Sequence, residues 1–152
     1  MFRSLLLAAL LVFPLTSHAQ SLKALIIDGQ NNHKNWPDTT KMMKKYLEDT
    51  SRFAVEVATT APRGTDPDFK PHFSKFHVVV SNYNGDPWPK ETQDAFVTYM
   101  KGGGGFACIH AADNAFSDWP EYNEMIGLGG WGGRNEKSGP YIRFKDGRFV
   151  RE

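Results

Sequence analysis

Residues 22–27, LKALII, form an almost unbroken apolar run. A strand with one wet face alternates apolar and polar residues. A run without alternation needs burial on both faces, as in a central strand of a parallel sheet sandwiched between helices. The chain that follows repeats this logic. Asp38-Thr39-Thr40 offers capping side chains to a helix carrying Met42, Met43, Tyr46 and Leu47 on one stripe. Phe53 to Ala58 alternates and reads as a strand nearer an edge. Residues 60–75 hold three prolines and read as a loop. His77 to Val80 opens a third strand. Pro89 starts a second helix at its first position, with Ala95, Phe96, Tyr99 and Met100 facing inward. Gly102 to Gly105 ends it through a left-handed cap, and Phe106 to Ile109 is a fourth strand. Beyond it, a short helix over Glu121 to Ile126 and a hairpin around Asp146-Gly147 complete the reading. Strands alternating with helices predict an α/β fold with a parallel sheet covered on both faces.

Open parallel sheets bind ligands at the carboxyl ends of their strands. Three of the strands run into polar residues there. These are Asp28-Gly29-Gln30-Asn31-Asn32-His33, Ser81-Asn82-Tyr83-Asn84-Gly85-Asp86, and His110-Ala111-Ala112-Asp113-Asn114. Such residues also favour turns for their own sake, but three polar loops on one edge predict a site.

His110 is the sharpest candidate. It stands where an apolar strand meets a small-residue turn, the position of a nucleophile elbow. An imidazole there can act as acid or base, ligate a metal or orient a substrate; the bland alternative is a core histidine bonded to backbone. Cys108 lies inside the apolar run and reads as inert core. His33 and His110 could share a metal, although two histidines without a close-spaced partner are a weak pattern for one. His72 and His77 read as surface or strand-edge residues. Trp36, Trp88 and Trp119 each precede a proline and Trp131 lies among glycines, so all four are placed in loops. Flat aromatic faces beside amides suit a sugar, although each ring could equally cap the core edge. The Gly127–Gly132 run has dinucleotide-motif spacing but lacks the strand-turn-helix context, so that reading is rejected.

Met1-Phe2-Arg3, the apolar run Leu5 to Phe13, Pro14 and the small residues Ser17 and Ala19 have the layout of a signal peptide over residues 1–19. Nine apolar residues are too few for the ~20 of a membrane span. The chain is therefore expected to be exported to the periplasm or outside the cell, leaving one domain over residues 20–152. The formal net charge is +1, and removing residues 1–19 removes Arg3 and no acid. A neutral chain without a basic run has no electrostatic reason to bind nucleic acid or anionic lipid. One cysteine cannot form an internal disulfide.

The segments KALIIDGQNNHKNW, VVVSNYNGDPWP and GGGGFACIHAADNAFSDWPEYNEMIGLGGWGGR resemble the ThuA-like (trehalose utilisation) family over essentially Lys23 to Glu152. The resemblance implies a flavodoxin-like, class I glutamine amidotransferase-like fold and a role in carbohydrate metabolism linked to trehalose and keto-sugars. It implies a site around His33, Asn82, Asn84, His110 and Asp113. True amidotransferases carry a cysteine nucleophile at the turn occupied here by His110, with Cys108 falling before it, so glutaminase activity is not carried over. The family's domains run well past the point where this sequence stops, so the fold is expected to be incomplete at its C-terminal end.

Together these readings give an exported domain acting on a small-molecule carbohydrate. His110 is the expected acid/base or metal ligand, with Asp113 orienting it and His33 opposite. Asp28, Gln30, Asn82 and Asn84 are expected to bind the substrate, and Trp131 or Trp119 to supply an apolar wall. A divalent metal is the candidate cofactor and a homo-oligomer the candidate assembly, with no nucleic acid partner and no membrane insertion of the mature chain. The alternative is a non-catalytic sugar-binding or scaffold module on the same fold. Convergence of His33 and His110 would favour an enzyme.

Overall fold

Strand β1 (Leu22–Asp28) is central, as its unbroken apolar run requires. The computed structural model describes residues 21–127, Gly129 and residues 142–151. The signal-peptide segment and Trp131 lie outside the described residues. Strand β1 pairs in parallel with β2 (Phe53–Thr59) on one side and β3 (Val78–Ser81) on the other. Strand β4 (Gly105–Cys108) continues the parallel sheet beyond β3. The order β2-β1-β3-β4 is flavodoxin-like, with the switch in direction between β1 and β3. The alternating strand β2 is an edge strand, as its pattern predicts.

Both faces of β1 are buried, by different partners. Ala24 and Ile26 pack with Val55 and Val80 against Met43 and Leu47 of helix α1 (Trp36–Asp49). Leu25 and Ile27 face the other way, toward Phe96 and Tyr99 of α2 (Lys90–Lys101) and Tyr122 of α3 (Pro120–Ile126). Each fully buried side chain of this size contributes about 1.5–3 kcal/mol. The larger cluster is strongly aromatic. Phe69 and Phe73 reach into it from the proline-bearing loop after β2, while Trp88 and Trp119 sit at its centre.

Several local expectations are corrected. Helix α1 begins at Trp36 rather than after Asp38-Thr39-Thr40, because Pro37 suits a first turn, where no intrahelical N–H bond is needed. Its inward stripe is Thr40, Met43 and Leu47, while Met42 and Tyr46 are exposed. Pro89 is the cap residue of α2, not its first residue. Thr92 is buried on that helix and Ala95 is exposed. Within the glycine run that ends α2, Gly103 takes the expected left-handed conformation at φ +88°, while Gly105 already belongs to β4. Trp36 opens a helix, whereas Trp88 and Trp119 lie in loops as expected, with their rings buried in the core. Strands β5 (Ile142–Lys145) and β6 (Arg148–Arg151) form the expected antiparallel hairpin, turning at Asp146 and Gly147, both at positive φ. No helix among the described residues is long and apolar enough to cross a membrane.

Candidate active site

The loops after β1, β3 and β4 meet at the carboxyl edge of the sheet. Strand β4 ends at Cys108, and a single 3-10 turn over His110–Asn114 follows. His110 opens that turn at φ +39°, a left-handed conformation that non-glycine residues rarely adopt. The neighbours enforce it. Ile109 N–H donates to the Ser81 carbonyl at 3.0 Å, holding the strand end. Ala111 and Ala112 then turn into the core, which only small side chains permit so close to the sheet. The Tyr122 hydroxyl, itself fully buried, donates to the Ala112 carbonyl at 2.9 Å. Held this way, the His110 side chain is exposed at the edge. Strain fixed by its surroundings in this manner is characteristic of functional positions.

His33 arrives from the loop after β1. Asn31 pins that loop in two directions: its side-chain oxygen accepts from the His33 N–H at 2.9 Å, and its amide donates to the Asn82 carbonyl at 3.0 Å. The result is a ring pair, with the His33 and His110 centroids 4.9 Å apart and the planes inclined by 38°. Two imidazoles supply half of a four-ligand zinc site. Among the described residues no group of three or more His, Cys, Asp or Glu is placed to hold a metal. An imidazole pair of this kind can also exchange protons near neutral pH.

The other expected site residues fall into two sets. Asp28, Gln30 and Asn82 are almost fully buried, and their polar atoms are engaged inside the protein. The Asp28 carboxylate accepts from the Thr59 hydroxyl at 2.6 Å. The Gln30 amide donates to the carbonyls of Ala61 and Gly64, and its oxygen accepts from Asp86 N–H at 2.7 Å. The Asn82 amide donates to the Trp36 carbonyl at 3.1 Å and the Thr40 hydroxyl at 3.0 Å. These three residues build the loops. Asn84, in contrast, is half-buried; its side chain donates to the Asn32 side chain at 3.2 Å, and among the described residues its oxygen accepts no hydrogen bond.

Asp113 is half-buried in the His110 turn, and no hydrogen bond joins it to His110 among the described residues. Its charge acts instead on Cys108 and Tyr122, adding to the larger effect of burial in pushing both groups' pKa values up. Cys108 is half-buried, with Sγ 3.9 Å from the Tyr122 hydroxyl. Trp119 is buried among Trp88, Phe116 and Tyr122, and it lines the cleft bordered by Asn84 and Asn114. His72 and His77 are exposed, and His77 Nδ1 accepts from the Lys23 N–H at 2.9 Å at the opposite end of the sheet. Asn31 and Tyr122, which position the two histidines, carry no signal as ligand groups. The Asn-x-His spacing of a side-chain turn is the one cue for Asn31.

Known proteins share this architecture. The sequence model of the ThuA family, described as trehalose utilisation, matches residues 23–148. The structure of a ThuA-like protein from Parabacteroides merdae ATCC 43184 superposes with a TM-score of 0.78 at 48% identity, over 88% of this chain and 48% of that one. A ThuA-like protein from Bacteroides uniformis ATCC 8492 superposes with a TM-score of 0.52 at 24% identity, over 76% of this chain and 48% of that one, and supports the fold alone. No curated protein matches the sequence. The chain thus spans about half the length of the solved structures it matches. On the extent of the family match and the identity to the first of these structures, the chain belongs to the ThuA family.

Proposed function

We propose that this chain contributes the histidine-bearing edge of a carbohydrate-processing domain, with a sugar or keto-sugar as substrate and His33 and His110 as the proton-transfer pair. The observation that carries this reading is the ring contact between two histidines from separate loops, one of them fixed at a strained elbow. Histidine is the side chain suited to exchanging protons near neutral pH. Two adjacent imidazoles can divide the work, one taking a proton from carbon or hydroxyl while the other donates to the developing oxyanion. The family description points the same way as regards substrate class. Asn84 supports it with an amide oxygen that accepts no hydrogen bond among the described residues, beside the pair's loops. The signal-peptide layout of residues 1–19 supports delivery of this activity outside the cytoplasm.

Turnover of keto derivatives of glucose and trehalose, followed by product analysis, tests the reading. His110→Ala and His33→Ala should each lower the rate at least ~100-fold, the usual contribution of a positioned acid or base. Unchanged turnover in both variants would sink the proton-transfer assignment and leave a binding module.

A further inference from the structure

The carboxyl edge holds a second feature. A cleft of about 360 Å³ opens between the loop after β3 and the segment joining the His110 turn to α3. Asn84 borders it on one side, and Asn114, the last residue of the His110 turn, on the other. Its size falls at the small end of ligand sites. Its polar groups differ from the engaged amides of Gln30 and Asn82. The Asn114 amide, the Ser117 hydroxyl and the Asp118 carboxylate make no hydrogen bond to the described residues.

The apolar part is built for rigidity. Phe116 stands at φ +58°, a conformation that a bulky residue adopts only when its surroundings enforce it. Those surroundings are aromatic: its ring stacks on Tyr83 at 5.6 Å and meets Trp119 and Tyr122 edge-on at 5.3 and 4.9 Å. Phe116 nevertheless remains half-buried and lines the cleft. A fixed aromatic face ringed by unengaged amide, hydroxyl and carboxylate groups matches a sugar ring, whose C–H face is apolar and whose hydroxyls both donate and accept. The charge narrows the class. Among the described residues the lining includes one carboxylate and no cation, so a phosphorylated or acidic sugar would meet repulsion from Asp118 there.

We infer that this cleft is the binding subsite for a neutral, unphosphorylated sugar unit, seated on Phe116 and held by Asn114, Ser117 and Asp118 next to the histidine pair. The inference rests on the carbohydrate reading above and adds where the ring sits and which sugars are refused.

Amide-resolved NMR titration of the chain with trehalose, glucose and glucose 6-phosphate tests it. Trehalose or glucose should shift the resonances of Asn84, Asn114, Phe116 and Ser117. Asn114→Ala, which breaks no side-chain hydrogen bond among the described residues, should weaken that binding about tenfold. Glucose 6-phosphate should bind at least tenfold more weakly than glucose, and Asp118→Asn should narrow the gap. Shifts confined to His33 and His110, with wild-type affinity in Asn114→Ala, would overturn the subsite while leaving the proposed function standing. Equal affinity for glucose and its phosphate would overturn the stated specificity. A chain in which no neutral sugar moves any resonance would overturn both the subsite and the carbohydrate reading.

Discussion

The imidazoles of His33 and His110 touch, centroids 4.9 Å apart, although one follows the first strand and the other the fourth. Parallel topology causes this. Strands β1, β3 and β4 are neighbours in the order β1-β3-β4 and all end at the same edge, so loops distant in sequence share one surface. Asn31 fixes the first histidine through its loop, and the strained turn fixes the second.

The strain at His110 can be measured apart from its chemistry. A left-handed conformation costs a non-glycine residue about 1–2 kcal/mol and glycine almost nothing. His110→Gly and His110→Ala both remove the imidazole, but only glycine relieves φ +39°. Urea unfolding should therefore find His110→Gly more stable than His110→Ala by about 1 kcal/mol. Equal midpoints would mean that the turn relaxes freely and that nothing holds the elbow.

Two asparagines two residues apart should behave differently. Asn82 is buried and bonded to Trp36 and Thr40, so Asn82→Ala strands the buried Thr40 hydroxyl and loosens the start of α1. The cost should be about 2 kcal/mol or more. Asn84 is half-buried with a single partner on an exposed neighbour, so Asn84→Ala should cost less than about 1 kcal/mol. Thermal and urea unfolding of the two variants check this, and a reversed order would return Asn82 to the ligand-facing set.

The contrast between those residues shows what a sequence can carry. Burial on both faces of LKALII, the edge character of Phe53 to Ala58 and the meeting of His33 with His110 all follow from periodicity and from the rule that parallel strands end together. Whether a polar residue at a strand end faces outward or inward does not. Asp28, Gln30 and Asn82 have the same composition signal as ligand groups, yet their partners, Thr59, Ala61, Gly64, Asp86, Trp36 and Thr40, are fixed only by tertiary contact. The tryptophans mislead for a related reason. A following proline marks a boundary in the backbone, but a large apolar ring near that boundary still packs inward, as Trp88 and Trp119 do.

Cys108 should be a slow thiol. Burial pushes its pKa up, and the Asp113 charge adds to this while the hydrogen bond with Tyr122 offsets part of it. A raised thiol pKa leaves less thiolate at neutral pH, and the thiolate is the reactive species. Alkylation of the folded chain near pH 7.5 should be at least ~10-fold slower than in urea, and should still be rising above the ordinary thiol range of about 8.5. Cys108→Ser should leave sugar turnover close to wild type. Fast labelling of the folded chain, or loss of turnover in Cys108→Ser, would make this sulfur the reacting group in place of His110.

Tyr122 offers the last test, because it supports the elbow without reaching any ligand. Its hydroxyl is fully buried and its bond to the Ala112 carbonyl ties α3 to the turn that begins at His110. Tyr122→Phe keeps the ring packed against Phe106, Phe116 and Trp119 and removes only the oxygen. A buried carbonyl loses its side-chain donor, so stability should fall by about 1–2 kcal/mol. The catalytic consequence should be selective. A looser turn misplaces His110 in the transition state but leaves the cleft residues Ser117 and Asp118, which lie beyond the turn, in place to bind, so kcat should drop several-fold with a smaller change in KM. Steady-state kinetics on a keto-sugar, alongside urea unfolding, separate the cases. A variant that loses stability but keeps full kcat would show that the Ala112 tether supports the fold alone and that His110 is held by the strand end and the buried alanines.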